Sequence, residues 1–153
     1  MKGEFEAIIK KFPGWLDLLQ KKSPLTRDDL SQVPDQGIYV YYNKENHPVY
    51  VGRSDRMKTR LQEHSRPSSG HTSATFAYLK ARKMWKENHP EESRSRKELE
   101  NDDDFSVVYN EMKKELAAMN VRVIEIVNPA EQALFEIYAS LELGTPFNAW
   151  ENH

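Results

Sequence analysis

The chain has 153 residues, of which 38% are apolar and 30% charged, and this composition is enough for one domain with a modest core. It has no cysteine, which excludes disulfides, thiolate catalysis and cysteine-ligated metal sites. No apolar run approaches the roughly 20 residues of a membrane helix, and the first residues lack the features of a secretory signal. We therefore expect no membrane association and a cytoplasmic location.

Charge is distributed unevenly along the chain. The net charge is −2, yet residues 53–97 hold 12 Lys and Arg against 5 Asp and Glu, and residues 98–153 hold 3 against 12. The cationic block is either an electrostatic footprint for a polyanion or a solvated helix face balanced by the acidic block. Charge alone favours the solvated face.

The first third of the chain predicts short helices followed by a hairpin. Residues 4–22 have helical periodicity, interrupted at Pro13-Gly14, which predicts two short helices. A capped helical turn is expected at 26–30. Residues 38–42 and 48–52 are rich in β-branched and aromatic side chains, and the loop between them is short, so they predict an antiparallel hairpin.

The remainder alternates between helical patterns and one strand. Met57, Leu61 and His64 have the spacing of one helix face. The further predicted elements are a loop over 65–72, a helix over 73–88 capped by Thr72 or Ser73, a solvated and partly mobile charged segment over 89–104, a helix over 105–119, a strand over 121–127, a helix from Pro129 to about Leu143, and an ordered tail to Trp150. The order predicts an α+β fold in which a small three-stranded antiparallel sheet is flanked by helices.

Two tyrosines lie in the predicted hairpin, Tyr39 in its first strand and Tyr50 in its second. Side chains on one face of such a pair approach to about 5 Å, so two phenols could lie side by side. Taken alone, ordinary packing is the better interpretation. Arg60, ten residues after Tyr50, is either a surface residue or a bidentate ligand for a phosphate on the helix that follows the hairpin.

Glu136 is the most informative carboxylate. Its neighbours at helical spacing, such as Ala133 and Ala139, are small, which suggests a helix face cleared of bulky side chains and suited to the floor of a cleft. One carboxylate plus water is a usual way to hold Mg²⁺ beside a phosphate. Glu131 is the rival, but the helix dipole alone favours a carboxylate in a first turn.

The ordered set Gly37-Ile38-Tyr39, Tyr50-Val51-Gly52, Arg60, Glu136 and Asn148 resembles the GIY-YIG nuclease superfamily, with Val51 where isoleucine is usual. The resemblance covers about residues 30–66 and 121–150. It implies a single GIY-YIG-like catalytic domain over 1–153, with a helical extension over 1–35 and a charged helical insertion over 67–120.

The resemblance also implies a mechanism. A single divalent metal, Mg²⁺ or Mn²⁺, would bind through Glu136. Tyr39 would act as general base or orient the attacking water, Tyr50 would hold that network, and Arg60 would stabilise the transition state. His64 would assist proton transfer or bind the phosphate. Asn148 would hold the catalytic residues in position without contacting the substrate itself.

The implied activity is that of a DNA endonuclease leaving 5′-phosphate and 3′-hydroxyl ends, in repair, restriction or a mobile element. Contacts to nucleic acid would come from Arg53, Lys80, Arg82 and Lys83. The segment that carries the last three could equally be an insertion with no role in substrate binding. RNA stays open as the substrate, and specificity would call for a homodimer, a partner protein or recognition of nucleic-acid structure. The alternative is a non-catalytic module that binds nucleic acid or a protein.

Overall fold

The computed structural model describes residues 3–70 and 74–148. Seven helices and three strands are assigned within this part of the chain. In chain order they are α1 (Glu4–Ile9), α2 (Phe12–Lys21), β1 (Gly37–Tyr42), β2 (Pro48–Ser54), α3 (Met57–Ser65), α4 (Thr75–Asn88), α5 (Arg96–Glu100), α6 (Asp103–Ala117), β3 (Asn120–Glu125) and α7 (Pro129–Leu143). None of the described helices is long and apolar enough to cross a membrane.

The three strands form one antiparallel sheet with β1 in the centre, in the order β2-β1-β3. All six residues of β1 are buried, as expected of a central strand that is β-branched or aromatic at most positions. The predicted α+β class, with a three-stranded antiparallel sheet and flanking helices, is confirmed.

The chain divides into two compact units. The first comprises Met1–Lys58 and Met119–His153, and the second Thr59–Ala118, each taken over its described residues. The first unit holds the whole sheet with α1, α2 and α7. The second holds most of α3 together with α4, α5 and α6.

The core of the first unit lies between one face of the sheet and two helices. Ile38 and Val40 of β1 face Phe12 of α2 and Phe135 of α7, and Ala139 completes the contact with α7. The rings of Phe12 and Phe135 meet edge to face at 5.3 Å. The N-terminal helices therefore supply part of the core of this unit.

The core of the second unit is an aromatic cluster between α4 and α6. The ring centroid of Phe105 on α6 lies 5.7 Å from those of Tyr78 and Trp85 on α4. The ring centroid of Tyr109 lies 6.0 Å from those of Tyr78 and Phe105. On α3, whose first residues belong to the first unit, Met57, Leu61 and His64 are buried, as their helical spacing predicts.

The break between the first two helices does not lie where the sequence predicts it. The helices separate at Lys10-Lys11, and Pro13-Gly14 lies inside the first turn of α2. A proline there interrupts nothing, because the first N–H groups of a helix have no partner within the helix. The capped helical turn expected at 26–30 is a single hydrogen-bonded turn, with Asp29 N–H donating to Thr26 O over 3.0 Å.

The charged segment over 89–104 is mostly exposed, as predicted, but it contains helix α5 and the start of α6. Helix α5 begins at a capping box, in which Ser95 and Glu98 each accept a hydrogen bond from the backbone N–H of the other, and its Leu99 is buried. Asp102 caps α6, which therefore begins at Asp103, two residues before the predicted start. The predicted caps Thr72 and Ser73 lie outside the described residues, as does the end of the tail at Trp150.

Candidate active site

The two tyrosines of the hairpin share one face of the sheet but are not directly opposite each other. Tyr39 pairs with Gly52, whereas Tyr50 pairs with Tyr41. The rings of Tyr39 and Tyr50 are therefore diagonal neighbours, with centroids 6.4 Å apart. The arrangement suggested by the sequence, two phenols side by side, is wrong in register although the shared face is right.

Tyr41 completes this aromatic group and was missed by the sequence reasoning. Its ring meets that of Tyr39 edge to face at 5.9 Å, and both side chains are buried. The alternation of a strand was the signal that could have found it, since residues two apart lie on the same face. The group holds the Tyr39 ring in one orientation.

Both motif glycines lie where a side chain would collide with a neighbour. A Cβ on Gly52 would lie closer than 3.0 Å to the ring of Tyr39, and a Cβ on Gly37 would overlap the backbone carbonyl oxygen of Ile124. Gly37 also has φ +155°, a conformation that other residues rarely adopt. Gly37 therefore lets β3 lie close to β1, and Gly52 leaves room for the Tyr39 ring against β2.

Glu136 lies within the buried stripe of α7. Gln132, Phe135, Ala139 and Ser140 form this stripe at helical spacing, and all four are buried. The small side chains among them let α7 pack closely on the sheet, and Gln132 also lines a polar cleft. Glu136 is a carboxylate on a packed face, with 18% of its side chain exposed.

Arg53 of β2 is the immediate partner of Glu136. Its Nε lies 3.6 Å from Glu136 Oε1, and its backbone N–H donates to the same carboxylate. Burial raises the pKa of Glu136 above its ordinary value, and the Arg53 guanidinium and N–H partly offset this rise. A cation close to this carboxylate therefore favours its charged form.

A polar cleft of about 470 Å³ opens beside Arg53. Its other lining residues are Gln36, Ser54, Asp55, Pro129 and Gln132. The sequence reasoning assigned no role to these residues; the signal available was their position, directly before β1, at the end of β2 and in the first turn of α7. Arg53, 47% exposed, is thus both the partner of Glu136 and part of the wall of this cleft.

Asn148 holds the outer edge of β2. Its Oδ1 accepts from Val51 N–H over 2.7 Å, its Nδ2 donates to Val51 O over 2.8 Å, and Thr145 Oγ1 donates to Oδ1. The side-chain amide therefore takes the place of a neighbouring strand at the centre of the Tyr50-Val51-Gly52 motif.

Arg60 and His64 belong to the second unit. Arg60 pairs with Glu63 one turn away, with Nη1 3.5 Å from Oε2. His64 is fully buried, and burial together with the positive charge of Arg60 holds its pKa well below the ordinary value. The imidazole is therefore neutral near pH 7 and is not a cation that could grip a phosphate.

The lysines and arginine predicted to contact nucleic acid also lie in this unit, on α4. Lys80 forms an ion pair with Glu115 of α6, so its charge is already balanced. Arg82 is half-buried and Lys83 is exposed.

The structure places Glu136 beside Arg53 and a polar cleft, and the side chains of Tyr39 and Tyr50 lie on the other face of the hairpin from that of Arg53. A carboxylate, an arginine and tyrosine hydroxyls are groups that phosphodiester chemistry uses. Residues 35–104 match the family model of the GIY-YIG catalytic domain. This match supports assignment of the chain to the GIY-YIG nuclease superfamily, and a nucleic acid is the substrate that such a domain implies. The match ends before Glu136 and Asn148, whose place in the site depends on the geometry described above. No curated protein and no solved structure matches the chain.

Proposed function

We propose that the protein is a divalent-metal-dependent DNA endonuclease whose metal ligand is Glu136. The observation that carries the proposal is this carboxylate on the packed face of α7, beside Arg53 and its cleft, in a chain with a GIY-YIG domain. A carboxylate on a packed helix face lowers the stability of the fold, because its charge is partly desolvated. A function for this carboxylate would explain why it is found there.

The donor set is compatible with a magnesium-like ion. GIY-YIG nucleases generally use divalent metals. Among residues 3–70 and 74–148 no group of three or more His, Asp or Glu side chains could hold a metal. A single carboxylate oxygen suits Mg²⁺ or Mn²⁺, which keep several waters and bind the substrate phosphate. When bound, the metal would polarise the scissile phosphate and stabilise the leaving oxygen.

The hairpin tyrosines are proposed to handle the attacking water. Tyr39 would accept its proton or orient it, and Tyr50 would hold the same hydrogen-bonded group. The packing of Tyr39 against Gly52 and Tyr41 supports this role, since a rigid hydroxyl loses little entropy when it positions a reactant. Products would carry 5′-phosphate and 3′-hydroxyl ends.

The remaining roles are proposed from the resemblance and narrowed by the geometry. Arg60 would stabilise the charge of the transition state, and Arg53 would move from Glu136 to a phosphate in the adjacent cleft. His64, being neutral, would transfer a proton or donate a hydrogen bond. Asn148 would keep the edge of β2 in place, and of the α4 cations Arg82 and Lys83 would contact the substrate, since Lys80 is paired.

The experiment compares wild type with Tyr39→Phe on supercoiled plasmid, branched DNA, single strands and RNA, each with Mg²⁺, Mn²⁺ or EDTA. We expect metal-dependent cleavage that Tyr39→Phe reduces by about 100-fold or more while binding is kept. Ligation of the products by a ligase that needs a 5′-phosphate tests the proposed ends. Binding without cleavage under every metal would contradict the proposal in favour of a non-catalytic module, and the substrate that is cut would separate repair, restriction and mobile-element roles.

A further inference from the structure

The C-terminal end of α4 carries a parallel pair of rings. The His89 imidazole stacks on the Trp85 indole with centroids 3.8 Å apart and an interplanar angle of 8°. Trp85 is buried at 8% exposure, whereas His89 is exposed. One face of the imidazole is thus covered by the indole, while the residue as a whole stays exposed.

Hydrogen bonds fix both rings in place. His89 Nδ1 lies 3.0 Å from the carbonyl oxygen of Trp85, and Trp85 Nε1 donates to Glu92 Oε1 over 2.9 Å. Arg94 in turn binds Glu92 over 2.7 Å and Asp102 over 2.9 Å. The pair is therefore built before any ligand arrives, so stacking on it would cost little further ordering.

Positive charge lies on the same side of α4 as His89. Arg82 and Lys86 precede His89 by seven and three residues, which places all three on one helix face. Lys86 is exposed, and it forms no ion pair with any residue that the structure describes. This face is complementary to a chain of phosphates.

An exposed, rigid aromatic face beside a row of cations is the combination that binds single-stranded nucleic acid, because every unpaired base offers a π face. Bases of an intact duplex are already stacked and cannot reach it. We propose that His89 stacks an unpaired base while Arg82 and Lys86 contact the adjoining phosphates. The inference rests on the proposed function for its purpose, and it assigns the nuclease to substrates with a single-stranded segment, such as branches, flaps or loops.

The test measures binding in EDTA, so that it is independent of cleavage. A fluorescein-labelled oligothymidine and a duplex of equal charge are titrated with wild type, His89→Ala and His89→Tyr by fluorescence anisotropy. We expect His89→Ala to weaken oligothymidine binding by about tenfold with no change on duplex, and His89→Tyr to keep wild-type binding. Equal binding of oligothymidine by wild type and His89→Ala, or equal losses on both ligands, would overturn the proposal.

A charge variant provides the second arm. Lys86→Gln should weaken binding to oligothymidine and lower the slope of log K against log salt by about 0.7, the value for one lost phosphate contact on a single strand. The matched control is Lys97→Gln on α5, outside the proposed face, which should leave the slope unchanged. An unchanged slope for Lys86→Gln would also overturn the proposal. Stacking without cleavage would contradict only the proposed enzyme, and cleavage without an effect of His89→Ala would contradict only this inference.

Discussion

At the scale of single residues, the motif glycines are needed for space. Gly52 lies under the Tyr39 ring, and a methyl group there would collide with it. The motif is thus a packing requirement as much as a chemical one, since Gly52 and Tyr39 are register partners on neighbouring strands.

We predict that Gly52→Ala destabilises the fold by about 1–3 kcal/mol, because the ring has to move. Gly14→Ala is the matched control: it lies in α2 with nothing within 4 Å of the added Cβ, and it should stabilise by about 0.5 kcal/mol. The measurement is the free energy of unfolding of both variants and wild type by urea denaturation. A Gly52→Ala variant as stable as wild type would show that Tyr39 does not depend on this contact.

His64 makes a prediction about pH. Its pKa in the fold is well below the ordinary value, owing to burial and to Arg60, while Glu63 is the acidic neighbour on the same helix. Below about pH 6.5 the His64 imidazole binds a proton in the unfolded chain but not in the folded chain. The fold is therefore more stable at higher pH and loses this stability as the pH falls.

The loss should reach about 1.4 kcal/mol per pH unit until the pKa of the folded state is reached. We expect His64→Gln, although less stable at pH 7.5, to lack this component between pH 7.5 and 5.5. The measurement is the free energy of unfolding of both proteins across that range. Parallel curves would contradict a buried neutral imidazole.

At the scale of elements, β2 is an edge strand that a single side chain closes. Both backbone groups of Val51 are bonded by the Asn148 amide. Asn148→Ala should therefore cost about 1–3 kcal/mol and expose the Val51 amide to hydrogen exchange.

Asn148→Asp keeps the acceptor for the Val51 N–H but loses the donor to the Val51 carbonyl, so we expect it to restore only part of the protection. Asn101→Ala, at an exposed helix end, is the control and should stay within about 0.5 kcal/mol of wild type. Unchanged exchange at Val51 in Asn148→Ala would show that another group closes this edge.

Local signals predicted those elements whose ends are encoded by the sequence itself. The last helix begins at Pro129 after the Asn128 cap and ends at Gly144 in the left-handed conformation, as proline and glycine at those positions predict. Helix α5 was missed although Ser95 and Glu98 have the spacing of a capping box, because the surrounding charge was given more weight.

Which face of a helix is buried was not predictable locally. In α7, Ile137 is 41% exposed while Gln132 and Ser140 are buried, the reverse of what hydrophobicity alone indicates. Only small side chains fit where the helix lies close to the sheet, and the place of that close contact depends on tertiary packing. The ion pair of Arg53 with Glu136 was missed for the same reason, since β2 and α7 are far apart in sequence.

At the scale of the whole molecule, the cationic block over 53–97 and the acidic block over 98–153 leave a net charge near neutral. Part of this charge is balanced internally, as between Lys80 and Glu115 or Arg94 and Asp102. The cations outside such pairs, not the net charge, should therefore set the salt dependence of nucleic-acid binding.

The central claim is that Glu136, and no other carboxylate of α7, supports cleavage. Glu131 is a close control: it lies on the same helix, its side chain is also 18% exposed, and it pairs with Lys11 over 2.9 Å as Glu136 pairs with Arg53. The measurement is the cleavage rate of wild type, Glu136→Gln and Glu131→Gln with saturating Mg²⁺ or Mn²⁺, alongside their melting curves. We predict that Glu136→Gln loses about 1000-fold in rate, as expected when several kcal/mol of metal-assisted stabilisation is removed, and that Glu131→Gln stays within about twofold. A folded Glu136→Gln that cleaves at the wild-type rate would contradict the claim.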